Sequence, residues 1–276
     1  MNLRDNKLLA AGIAAAIATA FHLAVFVLSA VLPDGSLALR VAEVAGATFP
    51  GGLIQMATTA LFVYALILSF GESRRIDAEH AASALELLPE REQLVLDAED
   101  IARIKLEAIE LERKQPSFLT DLVKKACTQF RANSSVQEVM DVVEAQSRIN
   151  RQLTTSEVDD LYQVNAVIPS VGFIGTIIGI ASALGLAYLV VPDAPAMGTD
   201  AFSVADAAGA QAAQAQAGIA AVTQALYVAF DTTLWALLLN LVLSFRISSI
   251  RARLERLHGF LEGYVLENLV NRIYHG

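Results

Sequence analysis

Hydrophobic and polar positions fall into long blocks along this chain rather than into short alternations. Four runs contain no Lys or Arg: Leu8 to Leu32, Leu53 to Phe70, Val164 to Val191, and Ala217 to Phe245. A bilayer core about 30 Å thick takes roughly 20 apolar residues of helix at 1.5 Å each. The first, third and fourth runs exceed that length, and the second just meets it. The pattern predicts an all-α membrane protein: four transmembrane helices with long cytoplasmic helical extensions.

The polar stretch between the second and third runs also reads as helix. Leu94, Ala98, Ile101, Ile104, Ala108 and Leu111 recur at three- and four-residue spacing, one apolar stripe on a charged helix. Pro116 ends it. A second amphipathic stretch carries Leu122, Ala126 and Phe130 and, past the turn-like Asn133–Ser135, Val136, Val139 and Val143. A capping-box-like pattern, Thr155 or Ser156 with Asp159 beyond, is expected to open the helix of the third run. The Ala-, Gln- and Gly-rich segment Pro192–Gln216 is expected to be a loop with a short helix. Ile250, Leu254, Leu257 and Leu261 keep helical spacing after the fourth run, so that helix is expected to continue.

Four parts follow from this pattern. Residues 1–70 form an N-terminal transmembrane hairpin (spans about 8–32 and 51–70), and 71–163 a cytoplasmic helical segment. Residues 164–246 form a core with spans of about 164–191 and 217–245, and 247–276 a cytoplasmic C-terminal helix. Long helices with one apolar stripe each need neighbours, within the chain or in a ring of subunits.

Charge orients these parts, because Lys and Arg near span ends mark the cytoplasmic side. Arg4 and Lys7 precede the first run, Arg74 and Arg75 follow the second, and Arg148 and Arg151 precede the third. Arg246, Arg251, Arg253 and Arg256 follow the fourth. The connection Pro33–Gly52 holds only Arg40, and Pro192–Gln216 holds no basic residue. Both termini and the middle segment are therefore expected in the cytoplasm of a bacterial inner membrane. The 25-residue first run is longer than a signal-peptide core, and Ser29 and Ala30 make a poor cleavage site, so it is expected to remain as a span.

Composition removes several function classes. Hydrophobic residues make up 55% of the chain and the net charge is −9. Most of that charge lies between Gly71 and Asn165, with 19 acidic and 12 basic residues, a balance that argues against nucleic acid as a partner. Cys127 is the single cysteine, so neither a disulfide nor a Cys-based metal site is expected. Metalloprotease, P-loop and nucleophile-elbow motifs are absent, and His22, His80, His258 and His275 are scattered. No enzyme and no cofactor are expected. His22, inside the first run, reads as a neutral histidine between helices, with a proton relay as the alternative.

Candidate chemistry concentrates in the last two runs. The third begins Ile168-Pro169-Ser170-Val171-Gly172-Phe173-Ile174-Gly175-Thr176-Ile177-Ile178-Gly179. Gly172, Gly175 and Gly179 share one side with Thr176 and Ala183, and small residues let helix backbones approach closely in lipid. In the fourth run, Asp231 is fourteen residues into a 29-residue apolar stretch. A carboxylate there costs roughly 2.5 kcal/mol or more unless it meets water, a partner or a proton. Either Asp231 lines an ion path, or it is a hydrogen-bonded carboxyl that locks the last two spans together. Gln224 and Asp231 share a face, whereas Thr233, Asn240 and Ser244 form a second polar stripe.

The Pro169-to-Gly179 string, with the Gly218-Ile219-Ala220 opening of the fourth run, resembles the MotA/TolQ/ExbB proton-channel family. The motif is TolQ/ExbB-like and the four-span layout MotA-like. The resemblance implies a homo-oligomer, generally a pentamer, around a dimeric single-span ExbD/TolR/MotB-like subunit. It further implies that a proton or sodium motive force is coupled to mechanical work, with Thr176 facing an ion-conducting interior. The family's second threonine would fall near Val228; here Asp231, Thr232 and Thr233 stand one turn further on. The ion-pathway candidates are therefore Thr176, Asp231, Thr232 and Thr233. Gly172, Gly175 and Gly179 are the packing candidates, and the Gly172–Ala183 stripe a candidate sliding surface. Flagellar rotation, outer-membrane energisation, gliding, polymer export and phage defence all remain compatible. A secondary transporter, or a membrane scaffold with a structural Asp231, is the alternative.

Overall fold

In a computed structural model, residues 6–47, 51–83, 87–89, 95–133, 135–187 and 201–273 are described, the last segment with side chains from Ala212. Helices α1 (Lys7–Ser29) and α2 (Leu37–Ala42) are followed by a π-helical turn at Glu43–Ala47. Then come α3 (Gly51–Ser83), α4 (Ala98–Lys114), α5 (Phe118–Asn133), α6 (Val136–Leu186) and α7 (Ala201–Asn268). No β-strand occurs among the described residues; one isolated parallel bridge joins Leu96 and Ile273. Among the described residues, four helices are long and apolar enough to cross a membrane, those of the four runs. Only 17% of the apolar window of α1 is buried, and 28% of each of the others. Side chains this apolar yet this uncovered are suited to a hydrocarbon solvent.

The chain divides into two compact units, Met1–Ile67 with Gln163–Ser244 and Leu68–Tyr162 with Phe245–Gly276. In the first, α1 buries Ala10, Ala14, Ala18 and His22, a four-residue repeat of mostly small side chains. Ser36 caps α2 by accepting from the Leu39 amide at 3.1 Å. The π-helical turn is closed by Gly46 at φ 111°, a conformation that costs an L side chain about 1–2 kcal/mol. A Cβ on Gly46 would stand 2.6 Å from His22 Cδ2, so the glycine also makes room for that ring. Gln55 pins the turn from α3 by donating to the Val44 carbonyl at 2.6 Å.

In the second unit, α4 opens with a capping box at Asp97 and stops at Lys114, ahead of Pro116. It buries Ile101, Ile104 and Ala108, the centre of its expected stripe. Helix α5 ends at Asn133, where the turn was expected, and buries Leu122, Ala126 and Phe130. Ile247, Ile250, Leu254, Leu257 and Leu261 are buried on the continuous tail of α7. Polar contacts fasten the unit: Arg75 to Glu157 at 2.5 Å, Arg246 to Ser73 at 2.9 Å, and Ser147 to Glu262 at 2.7 Å.

Two expected boundaries are absent. Thr155–Asp159 opens no helix but lies inside α6, where Ser156 donates back to the Gln152 carbonyl. Nothing between Val136 and Pro169 breaks a helix, so the amphipathic and apolar stretches fuse. The short helix expected before the fourth run is likewise the first part of α7, which is unbroken from Ala201. Pro192–Asp200, the expected loop, lies outside the described residues.

Candidate functional site

Within the first unit, α6 and α7 meet along the glycines of the third run. A Cβ on Gly172 would lie 2.4 Å from Ala236 Cβ, on Gly175 2.5 Å from Thr232 Oγ1, and on Gly179 2.5 Å from Ala229 Cβ. Contacts that close leave no space for any side chain but hydrogen. This seam is internal to one chain. Within the chain, the stripe is filled by α7 at all three glycines.

Close approach brings hydroxyls and carbonyls of the two helices together. Thr176 Oγ1 donates to the Ala229 carbonyl of α7 at 3.2 Å, and Thr233 Oγ1 to the Gly172 carbonyl of α6 at 3.2 Å. The Thr176 and Thr233 hydroxyls also contact each other. Thr232 is fully buried and donates to the Ala229 carbonyl of its own helix at 2.9 Å. Each oxygen that gives its proton away keeps lone pairs able to face a cation. Thr176, Thr232 and Thr233 thus belong to one cluster on the α6–α7 seam.

Further along the seam, Asn165 and Asn240 form a second clasp. Pro169 has no N–H to give the Asn165 carbonyl one turn earlier, as it would in an unbroken helix. Asn240 Nδ2 donates to that carbonyl at 3.0 Å instead, and Asn165 Nδ2 donates to Ser244 Oγ at 2.8 Å. The polar stripe Thr233, Asn240 and Ser244 therefore faces α6.

Asp231 turns elsewhere. Its side chain is 4% exposed and its two oxygens accept from Arg40 of α2, at 2.5 Å from Nη2 and 2.9 Å from Nη1. Asp231 does not lock α6 to α7; it ties α7 to the connection between the first two spans. Sequence reasoning missed this partner, although Arg40 stands out as the one basic residue of Pro33–Gly52. Gln224, by contrast, is exposed and lines an apolar cavity of about 510 Å³ with Gly175, Gly179, Val228, Ile54 and Ser182.

His22 is buried beside the same connection. Its Nδ1–H donates to the Ala18 carbonyl at 2.9 Å, and its Nε2 is buried with no hydrogen-bond partner among the described residues. Three or more metal-ligating side chains converge nowhere among the described residues.

Fold and site together define, among the described residues, a helical protein with four helices long and apolar enough to cross a membrane, an internal α6–α7 seam lined by hydroxyls, and a buried, ion-paired acid. Compared with known protein families, curated proteins and solved structures, the chain matches none.

Proposed function

We propose that this chain is the ring-forming subunit of an ion-driven motor in a bacterial inner membrane. In this reading the copies, five by resemblance, surround a dimeric single-span partner, and proton or sodium flow is converted into mechanical work. Both termini and the segment 71–163 lie in the cytoplasm. The observation that carries the reading is the gathering of Thr176, Thr232 and Thr233 on one seam, next in sequence to a buried carboxylate, within two apolar helices. One charge crossing 100 mV releases about 2.3 kcal/mol, enough to bias a packed interface between states a few kcal/mol apart.

The native mass of the complex, gently extracted with whatever co-purifies, tests the assembly. Five copies with two copies of a small single-span protein support it; a monomer or dimer without such a partner overturns it. Ion flux through the assembled complex tests the pathway and is expected to vanish in Asp231→Asn.

The Arg40–Asp231 pair favours a second reading, a membrane scaffold in which Asp231 is structural. A carboxylate matched by a guanidinium has no need of a mobile ion. On that reading the uncharged double variant Arg40→Gln/Asp231→Asn keeps function, whereas the ion motor loses it.

A further inference from the structure

The guanidinium of Arg40 is held from three sides. Besides the two-pronged contact with Asp231, Nη1 donates to Glu43 Oε2 at 3.1 Å, and Cζ stands 5.1 Å from the centroid of the Tyr227 ring. Fork-on-carboxylate geometry is among the strongest polar contacts, and a cation within about 6 Å of a ring centroid is attracted to its face. Tyr227 and Asp231 are one turn apart on α7, so a single helix face presents ring and carboxylate together. Two carboxylates and an aromatic face make a cation-binding wall, and here a side chain of the same protein fills it.

The two sides of that contact differ in how they are held. Asp231 is embedded in α7, with its side chain 4% exposed, whereas the Arg40 side chain is 41% exposed. Arg40 stands on α2, a helix of six residues. The acid is part of a long helix; the cation is the tip of an arm that reaches it from a short one.

We propose that Arg40 is a tethered cation that occupies the place of the translocated ion beside Asp231, so that passage requires the Arg40 arm to withdraw. This deepens the ion-motor reading and rests on it for what replaces Arg40. Glu43 and Tyr227 then steady the arm in its docked position. Removing the guanidinium exposes Asp231 to whichever small cation the membrane offers.

Carbodiimide labelling of Asp231 tests this in membranes that contain the full chain. Dicyclohexylcarbodiimide reacts with a carboxyl in apolar surroundings, and a guanidinium in the fork covers both Asp231 oxygens. In Arg40→Gln, labelling of the Asp231 peptide, read by mass spectrometry, is expected to rise about tenfold, the ratio that loss of one charge-assisted contact produces. Arg40→Lys, which keeps the charge without the fork, is expected to fall between the two. Added sodium should suppress the new labelling if the site takes sodium, and raised pH alone if it takes protons. Equal labelling in the wild type and Arg40→Gln overturns the proposal, as does a gain that neither sodium nor raised pH suppresses. Flux lost in Asp231→Asn, together with unchanged labelling in Arg40→Gln, removes this proposal and leaves the ion motor standing. A rise in labelling, with no flux that depends on Asp231, removes the motor and overturns the proposal with it, leaving Arg40 as a structural cover of Asp231.

Discussion

The side-chain amide of Asn240 takes the place of a backbone amide that Pro169 lacks, donating to the Asn165 carbonyl at 3.0 Å. A proline inside a helix destined for lipid frees a carbonyl that water cannot reach, and a neighbouring helix has to satisfy it. Asn240→Ala should therefore destabilise the protein by about 0.6–2 kcal/mol, the range found for interhelical polar contacts in membranes. In the Pro169→Ala background the helix satisfies its own carbonyl, and Asn240→Ala should cost less. Unfolding of both single variants and the double variant in mixed detergent measures the coupling. Strict additivity would show that Asn240 does not serve the freed carbonyl.

Glycines on the seam set a second expectation. Gly175→Ala puts a methyl group 2.5 Å from Thr232 Oγ1, and Gly179→Ala puts one 2.5 Å from Ala229 Cβ. Each should destabilise by about 1–3 kcal/mol through overpacking. Gly185→Ala is the control, because no atom of the described residues stands within 4 Å of its added Cβ. The same unfolding assay separates them, and a cost at Gly185 equal to that at Gly179 would contradict the seam.

At Gly46 two costs coincide. Alanine there meets a left-handed φ of 111° and a clash 2.6 Å from the His22 ring. Strain of about 1–2 kcal/mol is expected from the backbone alone. The double variant Gly46→Ala/His22→Ala removes the clash but keeps the backbone cost, so it should recover only part of the loss. Full recovery would mean that the backbone is unstrained.

Cys127 carries a pH prediction. It is buried on α5, and burial pushes its thiol up to about 12, with Lys105 pulling weakly the other way. The folded chain therefore holds the thiol proton more tightly than the unfolded chain does. That contribution is intact below the ordinary thiol value near 9.0 and is lost as pH rises from there towards 12. A maleimide should leave Cys127 unmodified at pH 8 in the folded protein and modify it after unfolding. Above pH 9, Cys127→Ser should flatten the fall in stability. Rapid native labelling at pH 8 would show that the thiol is not enclosed.

Much of the architecture could be read from the sequence, because its determinants are local. The four apolar runs, the stop before Pro116 and the turn near Asn133 each depend on neighbours a few residues away. Gly172, Gly175 and Gly179 could be picked out as packing residues for the same reason, and so could the polar stripe through Asn240. What occupies each of them could not. The glycine stripe fits a helix of the same chain as readily as one of another chain, and spacing alone does not choose. Arg40 and Asp231 are separated by 191 positions, and their contact depends on the direction in which a six-residue helix leaves its turn. The false boundary at Thr155–Asp159 has a different origin. A capping pattern marks where a helix can begin, but a helix already running through it has no reason to stop.

A helix pair that turns its smooth sides inward is left with rough sides outward. Phe173, Ile177 and Leu184 stand out from α6, and Phe230, Leu234 and Leu241 from α7, all exposed. Backbone cannot touch backbone across such a surface. Whatever reaches this pair from outside, an acyl chain or another helix, is held off by the length of a branched or aromatic side chain. Two helices meeting there would have their axes at about 8–10 Å, the ordinary spacing of side-chain packing. A boundary of that kind grips by many shallow contacts and can shift by one side chain without disturbing the α6–α7 seam behind it.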